Sequence, residues 1–309
     1  MSADLTTIVV NWNTVGLLDD CLASIRAATP DGLDNEIIVV DNASNDGSVA
    51  HLERYWPDVK VMVNAENLGF CRGNNVAIRA STAPLLLLVN TDARLEPGGI
   101  AALLGYFDSD GATAVVGPRL VYGDGAFQRW TAGRLPSFTS MATFLFGLDR
   151  LPALHSRGLY LGRDDDRPFQ PDWVSSAVMA VRRSALEEVG LLDERIFVYM
   201  DDVDLCARAR AAGWHVWYAP ETTAVHFMGA SSKRVTGKVS PEALRALNRW
   251  YVRRHGAAAG LGLRGLEAVG FGGRMVVHSL AALRRSPGAR RKMAAHRTNF
   301  RLALEPIDV

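Results

Sequence analysis

Asp201, Asp202 and Asp204 crowd together immediately ahead of the spacing Leu205, Cys206 and Ala209, which predicts a helix over Asp201–Ala212. Carboxylates at such a start have two uses. They face the positive end of the helix, with Asp204 four residues before Arg208 as an ion pair, or one of them takes a proton from a hydroxyl as a general base. The residues alone leave both readings open. Asp92 is a second candidate: it follows the apolar run Leu85–Val89 and Asn90-Thr91, at the end of what reads as a buried strand. A hard oxygen ligand there can hold Mg or Mn and leave coordination positions for phosphate oxygens. Other apolar runs also end in polar residues, at Asn11-Trp12-Asn13, Asp41-Asn42 and Asn64. Asp and Asn favour loops for local backbone reasons. Open α/β sheets, however, bind ligands at the carboxyl ends of their strands, so joint placement points to one polar site.

Such residues need a sheet to gather them. Strands are predicted over Thr6–Asn11, Glu36–Asp41, Val59–Asn64, Leu85–Val89 and Ala114–Leu120. Helices are predicted around Leu17–Ile25, over Arg72–Ser81 and after Pro97. This alternation is the pattern of βαβ units and a mostly parallel sheet. From Val121 to Pro171 periodicity fades into Gly, Pro, Arg and Asp, which predicts a binding loop or lid. Trp173–Arg182 reads as one strand, a helix follows from Ser184, and Trp214–Ala219 and Thr223–His226 read as two short extended pieces. There is no internal repeat.

The chain has 309 residues, 48% hydrophobic, 8% aromatic and 22% charged, which is the composition of a folded globular protein. Cys21, Cys71 and Cys206 lie far apart, so neither a disulfide framework nor a structural zinc site is indicated, and a reducing cytosol is expected. The first residues lack a basic region or cleavage site, so secretion is not expected. Gly265–Leu283 is apolar but interrupted by Glu267, Arg274 and His278, which argues against a spanning helix. No GxGxxG follows the first strand and no GxxxxGK[ST] occurs, which disfavours dinucleotide oxidoreductases and P-loop enzymes. Charge is unevenly distributed. Residues 1–232 hold 18 Lys or Arg against 29 Asp or Glu, a balance of −11, and residues 233–301 hold 16 against 2, a balance of +14. The expected organisation is therefore an acidic α/β domain at 1–232 and a basic helical region at 233–309.

In order along the chain, Ile8-Val9-Val10-Asn11-Trp12-Asn13, Val39-Val40-Asp41-Asn42-Ala43-Ser44-Asn45-Asp46-Gly47, Glu66-Asn67-Leu68-Gly69-Phe70 with Gly73-Asn74-Asn75, Asn90-Thr91-Asp92, Trp173-Val174-Ser175-Ser176-Ala177 and Asp201-Asp202-Val203-Asp204-Leu205 resemble the inverting family 2 glycosyltransferases of the GT-A fold. The likeness is greatest to the bacterial rhamnosyltransferase branch and spans roughly residues 5–232. It implies a Rossmann-like, mostly parallel sheet flanked by helices. It also implies that Asn11, Asn13 and Asp41 lie by the nucleotide, that Asn67, Gly69, Arg72, Gly73 and Asn74 form a donor-binding segment, and that Thr91 and Asp92 belong to the reduced metal motif. Asp92 would be the Mg or Mn ligand with His226 assisting, although Phe227 stands where a second His is often found. Trp173, Ser175, Ser176 and Asp201 would line the acceptor side, with Ser176 in place of the usual Gly, and Asp202 would be the base.

The implied reaction moves a sugar, L-rhamnose by branch, from a dTDP or UDP donor to a glycan or polyprenyl-diphosphate-linked hydroxyl on the cytoplasmic side. Two other readings are a non-catalytic nucleotide-sugar-binding scaffold and a nucleotidyltransferase. Asp164-Asp165-Asp166, flanked by Arg163 and Arg167, reads as a solvated run, and His215 and His255 as structural or surface residues. In the basic region, Arg245, Arg249, Arg253 and Arg254 accompany Leu244, Leu247, Trp250 and Tyr251 at helical spacing, with more arginines at 284, 285, 290, 291, 297 and 301 and Lys292. That pattern suits the anionic inner surface of a membrane, or helices that pack on the acidic domain and keep their charges in solvent. No nucleic-acid recognition motif accompanies it.

Overall fold

Two apolar runs of the first third become strands buried on both faces. Leu5–Asn11 and Leu85–Asn90 are almost wholly enclosed, as central strands of a parallel sheet must be. In chain order the elements are β1 (Leu5–Asn11), α1 (Val15–Ala28), β2 (Asn35–Asp41), α2 (Ser48–Tyr55), β3 (Lys60–Val63), α3 (Gly69–Ala80), β4 (Leu85–Asn90), β5 (Ala93–Leu95), α4 (Gly99–Ser109), β6 (Thr113–Val121), β7 (Ala132–Gly133) and α5 (Phe138–Leu145). They continue as β8 (Trp173–Val174), β9 (Val178–Arg182), α6 (Arg183–Val189), α7 (Asp201–Ala211), β10 (His215–His226), α8 (Pro241–His255), α9 (Ala257–Leu283) and α10 (Ala289–Leu304). This computed structural model describes residues 3–161, 164, 166–227, 240–283 and 289–307. Two units are distinguished, residues 1–133 with 163–234 and residues 134–162 with 235–309.

In the first unit eight strands form one mixed sheet in the order β3-β2-β1-β4-β9-β6-β10-β5. β3, β2, β1 and β4 run parallel, as do β6 and β10, whereas β9 is antiparallel to both β4 and β6. The stripe Leu18, Cys21, Leu22, Ile25 and Ala28 seats α1 on the sheet at helical spacing. Cys21, Cys71 and Cys206 are buried free thiols.

Three expectations change. Trp173–Arg182 is not one strand but two: β8 pairs with β7 in a separate small sheet, and β9 joins the main one. The break is made by Ser175, whose N–H donates to Thr131 O (2.9 Å) and whose Oγ accepts from the Ala177 N–H (3.3 Å). Apolar residues on both sides hide it from periodicity. Trp214–Ala219 and Thr223–His226, by contrast, belong to a single strand, β10, whose register on β6 shifts between Ala219 and Thr223, where Pro220 cannot donate to the ladder. Finally, Val121–Pro171 is not a featureless loop. It carries β7, three short 3-10 turns and α5, the last started by a reciprocal cap between Ser137 and Ser140.

The second unit is helical. Ser240 caps α8 by accepting from the Ala243 N–H (3.0 Å), with Pro241 in the first turn. Leu244, Leu247, Trp250 and Tyr251 are buried, so the aromatics expected to meet a membrane instead fill this unit's core. α9 packs on α5, where a Cβ at Gly270 would come within 2.8 Å of Leu145 and Arg274 donates to the Phe144 carbonyl. Arg264 Nε donates to Ala303 O (2.9 Å), tying α9 to α10. Buried Asn248 donates to buried Glu267 (3.0 Å), tying α8 to α9. Residues 134–162, expected in the first domain, group with these helices, and the expected boundary at 232/233 lies outside the described residues, as do Arg284 and Arg285.

Candidate functional site

The parallel register brings the strand ends to one level: Asn11 stands opposite Asp41, and Val10 opposite Asn90. Asn11 Nδ2 donates to Asp41 Oδ2 (2.7 Å) and to Ser44 Oγ (3.1 Å), and the Ser44 N–H donates to Asp41 Oδ1 (2.8 Å). Both Asn11 and Asp41 are fully buried. The Asp41 carboxylate therefore spends its oxygens on shaping the 42–47 loop. Asn13 is exposed at φ +53°, its own N–H bonded to Ser44 Oγ (2.8 Å) and its Oδ1 to the Asn45 N–H (2.8 Å). Ser44 is the hub of this network and is invisible to a reading of strand-end Asp and Asn alone. Thr14 Oγ1 joins Asn11 Oδ1 (2.6 Å) to Thr91 Oγ1 (3.1 Å), which carries the network to β4.

Asp92 and His226, far apart in sequence, meet because β5 pairs antiparallel with the end of β10, His226 opposite Ala93. His226 Nε2 lies 3.3 Å from Asp92 Oδ1, both side chains mostly buried. The other ring nitrogen, Nδ1, is 3.2 Å from Oε1 of buried Gln128. The Gln128 amide donates to Val121 O (3.1 Å) and to His226 O, so its Oε1 is the acceptor and Nδ1 carries the proton. With Nδ1 taken by Gln128, Nε2 is the ring nitrogen that faces the Asp92 carboxylate. Two donor atoms at this separation, one imidazole and one carboxylate, fit adjacent positions around Mn or Mg. Among the described residues there is no third His, Cys, Asp or Glu in the group, which leaves the other coordination positions to phosphate oxygens and water. Gln128 sits in the stretch read as loop and no local signal marks it; only the strand pairing reveals its partner.

The segment 67–75 starts α3. Gly69 adopts φ +78°, its N–H bound to Asn67 Oδ1 (2.9 Å), and a Cβ there would lie 2.6 Å from Phe197. Asn42 Nδ2 donates to Gly69 O (3.0 Å), and a Cβ on Gly73 would reach Val10 at 3.0 Å. Asn74 Nδ2 bonds back to Phe70 O (2.9 Å), whereas Arg72 faces solvent. Asn75, buried, exchanges hydrogen bonds with both backbone groups of Leu192, donating at 2.9 Å and accepting at 3.2 Å. The Phe70 N–H donates to Phe197 O (2.7 Å), and Arg79 pairs with Glu194 at 2.6 Å. α3 is thus clipped to the loop that leads into α7.

That loop ends in two consecutive non-glycine residues at positive φ, Tyr199 (+64°) and Met200 (+68°). Such conformations persist only where the surroundings enforce them. They turn the chain into α7 with Asp201, Asp202 and Asp204 in its first turn. β9 runs opposite to β4, so its leading residues, Ser175–Ala177, come to the carboxyl end of β4, where Asn90 N–H bonds Ala177 O (2.9 Å). Ser176 Oγ donates to Asp201 Oδ2 (2.6 Å), both buried. Burial pushes the Asp201 carboxyl up despite this bond. Asp202 keeps part of its surface open, accepts the Val203 N–H at 2.8 Å, and is pushed up to about 8, by burial first and then by the neighbouring Asp201 carboxylate. Asp204 faces away and pairs with Arg208 at 2.8 Å. The ion-pair reading therefore holds for Asp204, while Asp201 and Asp202 are held apart from any arginine partner in the described contacts.

Trp173 is buried in β8. Asp164 pairs with Arg119, Asp165 lies outside the described residues, and His215 pairs with Asp110 at 2.6 Å.

The sequence profile described as Glycosyl transferase family 2 matches residues 6–190, which include the carboxyl ends of β1, β2 and β4 but neither the α7 start nor His226. The chain belongs to glycosyltransferase family 2. Among curated relatives of this glycosyltransferase, the N-acetylglucosaminyl-diphospho-decaprenol L-rhamnosyltransferase of Mycobacterium tuberculosis is 28% identical over 252 residues, 76% of this chain and 79% of that protein. A low-salt glycan biosynthesis hexosyltransferase of Haloferax volcanii is 24% identical over 234 residues, covering 73% of this chain and 68% of that one. Among solved structures, the Pyrobaculum calidifontis mannosyltransferase in complex with GDP-Man and Mn2+ superposes with TM-score 0.61 at 16% identity, over 98% of this chain and 87% of that chain. GalNAc-T7 with UDP, GalNAc and Mn2+ gives TM-score 0.58 at 14% identity, over 81% of this chain and 48% of that chain. These likenesses establish the GT-A fold expected from the motifs.

Proposed function

We propose that this glycosyltransferase is inverting and moves L-rhamnose from a dTDP- or UDP-linked donor to a hydroxyl of a glycan or polyprenyl-diphosphate-linked acceptor on the inner face of the membrane. The observation that carries the reading is Asp202. It is a partly open carboxyl, raised into the range where it can accept a proton, beside a buried and hydrogen-bonded Asp201. In the proposed step Asp202 takes the acceptor hydroxyl proton as that oxygen bonds to the anomeric carbon. The bond from that carbon to the diphosphate breaks, and its electron pair leaves with the nucleoside diphosphate.

Ser176 and Asp201 hold the α7 start in place and line the acceptor side with Ser175 and Trp173, the last by supporting β8 from within. The Asn11, Asn13 and Asp41 network shapes the loop for the nucleotide, and Asn67, Gly69, Arg72, Gly73 and Asn74 present the α3 start to the donor. Thr91 anchors the Asp92 turn. Asp92 and His226 would hold Mn or Mg, which when bound offsets the charge of the diphosphate. The rhamnosyl and lipid-linked assignments draw support from the mycobacterial relative's name.

The first test is thermal stabilisation by nucleotide diphosphates and nucleotide sugars with and without Mn or Mg. Metal-dependent stabilisation by dTDP or UDP species, followed by transfer with inversion at the anomeric carbon, is expected. Stabilisation by ATP alone, with none by these species, would defeat the reading.

A further inference from the structure

Among the described residues, a face of α9 in the second unit stands exposed. On α9, Leu263, Glu267, Gly270 and Phe271 turn inward. On the opposite side Leu261, Val269, Val276, Val277 and Leu280 are 65%, 64%, 55%, 62% and 57% exposed, with exposed Gly262, Gly265 and Gly273 between them. The face runs for about 30 Å along the helix. The charged residues of α9 are all withdrawn from it: Arg264 bonds Ala303 O, Glu267 is buried, and Arg274 bonds Phe144 O. Scattered exposed hydrophobics are ordinary, but a continuous uncharged stripe marks a docking surface.

Charge decides what docks. Residues 233–301 hold 16 Lys or Arg against 2 acids, and Arg249, Arg254, Arg290, Lys292, Arg297 and Arg301 on α8 and α10 are exposed. A second copy of this unit would bring like charge against like charge. An anionic lipid surface offers apolar depth for the stripe and phosphates for the arginines. Among the described residues no helix is long and apolar enough to cross a membrane, so α9 would lie along the surface.

We infer that the outward face of α9, from Leu261 to Leu280, docks this chain on an anionic bilayer while the exposed arginines of α8 and α10 hold the headgroups. The inference deepens the lipid-linked reading of the acceptor and rests on it for its purpose. Vesicle binding needs neither donor nor acceptor, so the two can fail separately. The full chain is sedimented with phosphatidylcholine vesicles with and without phosphatidylglycerol. The wild type is expected to follow the anionic vesicles and to be released by high salt. Val269→Ser, Val276→Ser and Leu280→Ser together should lower the bound fraction about tenfold or more while the melting temperature and the nucleotide-induced shift stay as in the wild type. Should that variant prove unstable, Leu280→Cys carrying a polarity-sensitive dye reads the same face, since the native thiols are buried, and its emission should shift to the blue on anionic vesicles. Vesicle binding unaffected by the triple substitution, no binding by the wild type, a dye that stays in water, or a dimer that the substitutions turn into a monomer would each overturn the inference.

Discussion

Replacing Asp202 by Asn separates its chemical from its structural part. The Val203 N–H can still be accepted by the amide oxygen, so the α7 start is kept. In the native state the carboxyl is raised from 3.8 to about 8, so between these values folding favours a proton that the unfolded chain has released. The contribution is therefore unfavourable. Stability is lost as pH rises through this window and levels off above it. At 1.36 kcal/mol per unit the nominal ceiling is about 5–6 kcal/mol. Asp202 keeps part of its surface in solvent, and screening there reduces the effect to about 1–2 kcal/mol. Asp202→Asn should accordingly match the wild type near pH 4 and exceed it near pH 9 by that amount, about 1.5 °C of melting temperature per kcal/mol. Sugar transfer should fall by about 10²–10⁴, the usual worth of a positioned base, with the nucleotide-induced thermal shift retained. Wild-type transfer should rise with pH toward about 8 as Asp202 ionises. Melting curves across pH and a coupled diphosphate-release assay read both effects. A variant that transfers sugar at the wild-type rate, or that is destabilised equally at every pH, would show that Asp202 only caps the helix.

Gly69→Ala should cost more than about 2 kcal/mol in urea unfolding, because φ is +78° and the new Cβ meets Phe197 side chain and backbone alike; adding Phe197→Ala should restore only part. Gln128→Leu should weaken the Mn dependence of nucleotide-induced stabilisation by about 10–100-fold by freeing the His226 ring, and Gln128→Glu, which keeps an acceptor, should recover part of it. Asn75→Ala should cost about 2–3 kcal/mol by leaving both Leu192 backbone groups unsatisfied, and should lower kcat more than donor affinity, since the clipped loop leads to Asp201.

The parallel half of the sheet is legible because its strands are apolar on both faces and its helices carry a stripe at helical spacing: β1, β2 and β4 and α1 fall close to where the residues predict them. What periodicity cannot show is a break inside a uniformly buried segment, and Trp173–Arg182 is such a segment. Ser175, the residue that bends it, is also the kind of residue that a strand tolerates. The same limit applies to the basic region. Leu244, Leu247, Trp250 and Tyr251 have the spacing of either a membrane-facing or a core-facing stripe, and burial alone separates the two. The stripe left exposed is on α9, where glycines dilute the hydrophobic signal.

Within the site, sequence identifies the carboxylates but not their division of labour. Asp41, Asp92, Asp201, Asp202 and Asp204 are the same residue type at strand ends or a helix start, and their surroundings make them different groups. Asp41 is bonded at both oxygens to Asn11 and Ser44, and Asp204 is neutralised by Arg208. Asp92 faces an imidazole fixed by Gln128. Asp201 is buried against Ser176, and only Asp202 combines a raised affinity for protons with an opening to solvent. The environments of Asp41, Asp92 and Asp201 depend on partners 25 or more positions away or on strand pairing across the sheet, whereas the Asp204–Arg208 contact is local and readable from spacing alone. The α3 clip adds the mechanical part: because Phe70 and Asn75 grip the backbone of Phe197 and Leu192, the segment proposed for the donor and the segment carrying the proposed base share one support. On the proposed donor role, a nucleotide that orders the α3 start would also steady the two left-handed residues before Asp201, which would give Gly69 a reason to be glycine that lies outside its own turn.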